Sequence, residues 1–555
     1  MPSASPLPQP YYYLDNFQFV LDWLQARYPD LLSPEEHGFM RDFAGLERSS
    51  RALLVRMAMR KGDLFRADRL RYPEIGDPVA AAAPLAAAGW VERDPSLRID
   101  ELFGLYTRDD LAQAFGDRLA QAGLARAGKR TQLEYLLALC PDTRPVAQWL
   151  GAAAAPVYRL RITDLCERYR LMFFGNLRQD WTEFVLAELG LYVYEKVDFS
   201  PSSRAFQLRS DVDDYLSLHR CAETLDQEAR DEAVDAAVAA IPSAPFRNSW
   251  LETRRARLLF RAGQHYERRR HWEAASRCYE HSGHTEARVR HVRVLERQER
   301  FEDALRLARL ALEDPADEAE AQRLQRALPR LLRRCGLPPG RPPIRFDAER
   351  LDLTLAQDPG AGRVEAEVLR HLRQDAAPVF YVENTLVNGL FGLLCWEAIF
   401  APVPAAFFHP FQAAPADLLR PGFHARREAL FRTCLSQLDD GRYRRTIRRN
   451  FQDKSGVQCS FVNWHALDES LLEFALACIP PAHLGRLFAR LLGDIRGNRS
   501  GLPDLIQFWP ADQRYRMIEV KGPGDRLQDN QRRWIAYCRQ HGIPVSVCHV
   551  RRPAA

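Results

Sequence analysis

The chain has 555 residues, a net charge of +5 and a pI near 8.6, too small an excess for a histone-like polycation, so any nucleic-acid surface must come from local basic patches. An apolar content of 46% is that of an ordinary globular protein with room for several cores, and no apolar run reaches the ~18 residues of a spanning helix. The eleven cysteines show no CxxC spacing, which excludes a zinc ribbon or disulfide framework and fits free thiols in a reducing, cytoplasmic setting.

Residues 1–100 read as a basic helical module. Tyr11-Tyr12-Tyr13-Leu14 leads into Phe17, Val20, Leu21 and Leu24 at helical spacing, and 35–43 and 50–60 give two more helices. In and beyond the third, Arg51, Arg56, Arg60, Lys61, Arg66, Arg69 and Arg71 interleave with Leu53, Leu54, Val55, Leu64 and Phe65. Arg56, Arg60, Lys61 and Arg66 are candidate phosphate contacts, set against the plainer reading of a solvated face. An Ala-rich helix over 79–89 ends in glycine before Trp90-Val91-Glu92, a short strand, which predicts a winged-helix-like close to the module.

Residues 101–212 form a second module. Thr107 caps a helix that runs to Leu119, and Gly123 to Thr131 turns into a second helix through Leu136-Leu137. Helix, Gly128-Lys129 turn and helix resembles a SAP-type DNA-binding motif, and the resemblance implies that Lys129 and Arg130 contact backbone phosphate. Beyond it 162–174 and 181–189 read as helices, and 192–197 with 205–208 as a short strand pair, the one predicted strand pairing before the C-terminal region.

From 213 to 340 the pattern is helical. Trp272-Glu273-Ala274-Ala275 and Phe301-Glu302-Asp303-Ala304 repeat one phrase 29 residues apart, which predicts a tetratricopeptide-like array acting as a spacer. The proline-rich stretch 337–343 ends it and leaves 341–555 as an α/β domain. There Tyr381-Val382-Glu383-Asn384 precedes an apolar helix over 386–400, whose N-terminus Glu383 is placed to cap. Arg426-Arg427 and the run Arg442, Arg444, Arg445, Arg448 and Arg449 are the densest basic stretch, with Arg444 and Arg448 as candidate DNA contacts.

The chemistry concentrates near the C-terminus. Leu505 to Trp509 is apolar, Pro510-Ala511-Asp512-Gln513 forms a turn, and Arg514 to Val520 alternates with period two, so a β-hairpin is predicted with Asp504 opposite Glu519 to within a residue. Glu519 and Lys521 then share a face while Ile518 and Val520 point to the other. Two carboxylates forced together repel unless a divalent cation keeps both ionised, and a sparse oxygen site of this kind suits Mg²⁺ or Mn²⁺. Lys521 adds a fixed positive charge, and the expected reaction is phosphodiester hydrolysis by metal-activated water. A helix over 527–540, Gly542 and a strand from Pro544 to Cys548 follow, a strand-helix-strand crossover.

Pro503-Asp504, a spacer of fourteen residues and Glu519-Val520-Lys521 resemble the PD-(D/E)xK nuclease superfamily. With Arg499-Ser500-Gly501-Leu502, Gly522-Pro523-Gly524-Asp525, Gln531 and Cys548-His549-Val550, the stretch looks like a virus-type replication-repair nuclease (VRR-NUC) domain. That resemblance implies metal ligands at Asp504, Glu519 and the Val520 carbonyl, a catalytic Lys521, and Gln531 facing the site; it adds Glu383 to the metal shell, beside its capping alternative. The module order, together with Phe391-Gly392-Leu393-Leu394-Cys395-Trp396, resembles the Fanconi-associated nuclease family across nearly the whole chain. Implied are a structure-specific DNA nuclease with 5′-flap endonuclease and 5′ to 3′ exonuclease activity of the phosphodiesterase I type, a role in interstrand crosslink repair, and branched or flapped DNA as partner. No ubiquitin-binding zinc finger and no membrane association are expected, and the setting is cytoplasmic, nucleoid-associated and bacterial in type. Asn530 stands where some relatives carry a phosphate-binding lysine. The alternatives are a junction resolvase or RNA nuclease on the same domain, or an inactive DNA-binding scaffold, which intact Asp504, Glu519 and Lys521 disfavour.

Overall fold

A computed structural model of the chain describes residues 10–151, 154–179, 192–227, 231–338, 348–356 and 362–553. Two compact units divide it, Met1–Leu191 and Tyr192–Ala555.

The first unit opens with helices α1 (Tyr12–Arg27), α2 (Pro34–Gly45) and α3 (Arg48–Ala58). Their apolar stripes bury Phe17, Val20, Leu24, Phe43, Leu53 and Leu54. Ser33 and Glu36 form a reciprocal capping box on α2, and the buried Glu36 carboxylate also receives Arg168 Nε at 2.6 Å. Strand β1 (Leu64–Arg66), helix α4 (Pro78–Ala87) and strand β2 (Val91–Arg93) follow. Next come α5 (Ile99–Leu105), α6 (Arg108–Gln121) and α7 (Lys129–Leu139), packed around Leu102, Phe103, Phe115 and Leu136. Strand β3 (Val157–Leu160) then returns between β1 and β2, antiparallel to both. The winged-helix-like module thus takes its central strand from beyond the SAP-like helices. The sequence reading missed that strand because four residues carry too little periodicity to be seen without their partners. Helix α8 (Thr163–Phe174) packs back on α1. The helix predicted over 181–189 lies outside the described residues.

In the second unit the predicted strand pair is absent. Val193 makes one isolated bridge to Val457, and 205–208 is not a strand. The segment is held instead by side chains on both of its faces: Glu195 accepts Trp396 Nε1 at 2.7 Å and Lys454 Nζ at 2.8 Å, and its neighbour Tyr194 meets Phe411.

Among the described residues seven helices form the array: α9 (Arg209–Asp226), α10 (Asp231–Ala239), α11 (Ser249–Arg268), α12 (Trp272–Glu280), α13 (Ala287–Arg297), α14 (Phe301–Glu313) and α15 (Glu318–Arg334). From α11 onward, short connections make neighbours antiparallel. Ala275, Ala304, Ala308 and Ala311 are fully buried, which lets the helix backbones approach.

The rest is the C-terminal α/β domain. Strand β4 (Glu349–Thr354), α16 (Val364–Leu372), β5 (Val379–Tyr381), β6 (Leu505–Trp509), β7 (Arg514–Lys521), α21 (Asp529–Gln540) and β8 (Val545–Arg551) build a five-stranded sheet in the order β4-β8-β7-β6-β5. β8 runs parallel to β4 and β7, and the other pairings are antiparallel. Between β5 and β6 sits a helical insertion that includes α17 (Leu386–Leu394), α18 (Tyr443–Asp453), α19 (Glu469–Cys478) and α20 (Pro481–Gly493). Gly392 in α17 is required by closeness: a Cβ there would stand 2.7 Å from Cβ of Phe461.

Candidate active site

The hairpin register pairs Leu505 with Ile518, which sets Asp504 opposite Glu519 as the sequence predicted. Leu505, Ile518 and Val520 join the apolar cluster on one face of the sheet, while Glu519 and Lys521 continue the face begun by Tyr515 and Met517. Backbone bonds fix the acidic end: Asp504 Oδ2 accepts Val520 N at 2.8 Å, and the Asp504 carbonyl accepts Val382 N at 2.8 Å.

Glu519 is 1% exposed and Asp504 7%. Oε1 of Glu519 accepts from Lys521 Nζ at 2.7 Å and from Gln531 Nε2 at 2.6 Å, whereas Oε2 is buried with no protein partner. Burial pushes the Asp504 carboxyl up to about 6, against the pull of the Val520 amide and Lys521. Burial and the neighbouring Asp504 push Glu519 up to about 7, against Lys521. One ammonium therefore does not balance the pair, and an orphaned carboxylate oxygen marks where a further cation fits.

Glu383 lies at the N-terminal side of α17. Its carboxylate accepts from the Tyr381 hydroxyl and from Asn384 Nδ2 at 3.3 Å, and its charge raises both Asp504 and Glu519. Asn384, at φ 53°, accepts Leu502 N on its side chain at 3.1 Å, and Asn388 Nδ2 donates to the carbonyls of Asn384 and Arg499 at 2.7 and 2.8 Å. Two asparagines thus lock the Arg499–Leu502 approach against α17 and hold Glu383 beside the pair. Among the described residues no three His, Cys, Asp or Glu side chains converge into a ready-made metal cage, so these residues fit a cation whose shell is shared with backbone, water and substrate. Sequence reasoning missed Glu365, in the first turn of α16, whose charge also raises Asp504. Its only sequence signal is an acidic first turn, common to many helices.

The predicted DNA contacts divide. Arg56 pairs with Glu74 at 2.7 Å and lies over Tyr13 and Tyr72, and Arg66 pairs with Asp68 and Asp110 at 2.6 and 3.0 Å, so both guanidiniums are committed inside the fold. Lys129 Nζ donates to the Tyr106 carbonyl at 2.7 Å. Arg60, Lys61 and Arg130 are exposed, Arg130 in a loose pair with Glu134. In the second unit Arg444 Nε donates to the Leu476 carbonyl at 3.2 Å and Arg448 grips Glu473 at 2.6 and 2.7 Å, both with exposed side chains. Arg427 is buried against Asp417 at 2.8 and 3.0 Å, with Arg426 on the same carboxylate, so this part of the basic run is core.

A sheet bearing Asp504, Glu519 and Lys521 at one end, crossed by a helix that places Gln531, defines a nuclease fold of the VRR type. The VRR-NUC domain pattern matches residues 438–552, the FAN1 HTH domain 11–92, and the Fanconi anemia-associated nuclease SAP domain 96–149. The Fanconi-associated nuclease 1 homolog of Pseudomonas aeruginosa is 53% identical over 99% of this chain and 98% of its own length. Its counterpart in Oryza sativa is 26% identical over 97% of this chain and 62% of the relative. A crystal structure of paFAN1 bound to 2nt 5′ flap DNA with gap matches at a TM-score of 0.91 and 52% identity, covering 99% of this chain and 100% of that one. The chain belongs to the Fanconi-associated nuclease family. It is a nuclease dependent on a divalent metal.

Proposed function

We propose that this chain is a structure-specific DNA nuclease that incises 5′-flapped DNA near the branch and degrades it 5′ to 3′, acting in interstrand crosslink repair with Mg²⁺ or Mn²⁺. The observation that carries the reading is the buried Asp504–Glu519 pair with one orphaned oxygen and a single lysine. The relative solved with 5′ flap DNA supports the substrate class. In this reading Asp504, Glu519 and the Val520 carbonyl hold the metal, with Glu383 completing the set. When bound, the metal supplies Lewis acidity at the scissile phosphodiester.

The other roles belong to the chain. Lys521 presents a fixed positive charge to the developing negative charge on phosphorus oxygens. Gln531 holds Glu519 by one oxygen and leaves the other free. Arg60, Lys61, Arg130, Arg444 and Arg448 contribute phosphate contacts that carry no sequence preference. The test is cleavage of a labelled 5′-flap duplex beside single-strand, plain-duplex and RNA controls, in Mg²⁺, Mn²⁺ or EDTA. Incision near the junction that needs metal and vanishes in Asp504→Ala supports the reading; equal cutting of RNA, or none of any substrate, overturns it.

A further inference from the structure

The last helix of the array is braced against the helix that carries Gln531. Along α15, Glu318, Gln322 and Arg326 recur every four residues and so share one face. Each holds a partner on the nuclease core. Glu318 accepts both terminal nitrogens of Arg490 at 2.8 and 2.6 Å, and that buried guanidinium stacks on Trp534 and Tyr537 of α21. Gln322 accepts Arg533 at 2.7 Å. Arg326 grips Asp529 with two hydrogen bonds of 2.6 Å.

Asp529 is the first residue of α21, two before Gln531. The Gln531 side chain works at both ends: its oxygen accepts Gln528 N at 2.8 Å and caps its own helix, and its nitrogen holds Glu519 at 2.6 Å. Its reach to Glu519 therefore depends on where the first turn of α21 lies. The approach to that turn, 522–528, has no regular structure and passes through Gly524 at φ 88°. Gln531 on Glu519 aside, the turn itself is also held to its surroundings by Asn530 Nδ2 on Ser500 Oγ at a long 3.4 Å, with Arg533 on Gln322 at 2.7 Å and Trp534 Nε1 on the Asn498 carbonyl at 3.0 Å one and two residues beyond it. A bidentate Arg–carboxylate pair is the stiffer tether.

We infer that Arg326 is a positioning residue for cleavage: through Asp529 it fixes the first turn of α21, and with it Gln531 against Glu519, so the helical array is part of the active-site support. This rests on the role given to Gln531 above. A natural control lies one turn along: Arg330 makes a similar bidentate pair with Glu296 at 2.7 and 2.8 Å, but inside the array, away from α21.

The experiment is steady-state cleavage of a 5′-flap duplex by the full-length chain carrying Arg326→Ala, Arg326→Lys, Arg330→Ala, Gln531→Ala and the double variant Arg326→Ala/Gln531→Ala, with melting temperatures throughout. Arg326→Ala is expected to lower kcat about three- to tenfold with KM unchanged, Arg326→Lys to restore part of it, and Arg330→Ala to leave kcat alone. Arg326→Ala should cost nothing further once Gln531 is alanine. The same factor in the Gln531→Ala background, or an equal loss of kcat in Arg330→Ala, would overturn the proposal as mere stability. A Gln531→Ala chain of normal kcat would also overturn it, while the nuclease reading stands or falls separately on Asp504→Ala.

Discussion

Lys521 Nζ lies 2.7 Å from Oε1 of Glu519, yet Glu519 and its neighbour Asp504 both stay above the ordinary carboxylate range, at about 7 and about 6. Burial outweighs the one ion pair. In the unfolded chain these groups titrate near ~4, so between that pH and about 7 the folded protein binds more protons than the unfolded one. Stability of the metal-free protein is then greatest below pH ~4 as far as these two groups act, and declines as pH rises through about 6 and about 7. Mn²⁺, which favours the ionised pair, should flatten the decline. Melting curves at several pH values with EDTA or Mn²⁺ check this, and a slope unaltered in Asp504→Asn/Glu519→Gln would refute it.

The same imbalance sets activity against stability. Asp504→Asn keeps an acceptor for the Val520 amide and removes one repelling charge. It should abolish flap cleavage while raising the melting temperature of the metal-free protein by about 2–4 °C, the shift that ~1 kcal/mol produces in a domain of this size. A less stable variant would mean that Lys521 already neutralises the pair.

The hairpin was readable in advance because its parts are local. An apolar strand, a proline turn and an alternating strand fix one register, and with it the meeting of Asp504 and Glu519. Gln531 was legible by resemblance, since nothing in helical spacing aims it at Glu519. Long-range partners were not legible. Val157–Leu160 is a strand only because Leu64–Arg66 and Val91–Arg93 flank it. Arg56, Arg66 and Arg427 resemble surface arginines in one dimension, and only the fold brings Glu74, Asp110 and Asp417 to them. The bracing of α21 by α15 joins residues about two hundred positions apart, as Arg326 and Asp529 show.

Lys129 and Arg130 stand side by side at the start of α7 and should separate on mutation. Lys129 caps the carbonyl of Tyr106, so Lys129→Ala should lower stability by about 0.5–1.5 kcal/mol. Arg130, with a side chain 92% exposed, should leave stability within about 0.5 kcal/mol when replaced by alanine. Arg130→Ala should weaken flap binding and reduce the slope of log affinity against log salt by about one. Fluorescence anisotropy titrations at several salt concentrations, beside urea melts, distinguish the two. An unchanged salt slope for Arg130→Ala would place the phosphate elsewhere.

The Asp417 carboxylate lies 2% exposed between Arg426 and the fully buried Arg427. Asp417→Asn keeps the shape but leaves a guanidinium charge without its counter-ion in the core of the helical insertion, and breaking a buried pair in this way costs about 3–5 kcal/mol. Arg426, 31% exposed, can turn toward water, so Arg426→Ala should cost far less. If these arginines instead formed a phosphate-binding surface, Arg426→Ala and Arg427→Ala would weaken DNA binding in well-folded protein. Urea denaturation of the three variants, with flap binding measured on those that fold, separates the outcomes: an Asp417→Asn chain as stable as the parent would mean that Arg427 finds solvent and that the basic run is surface after all.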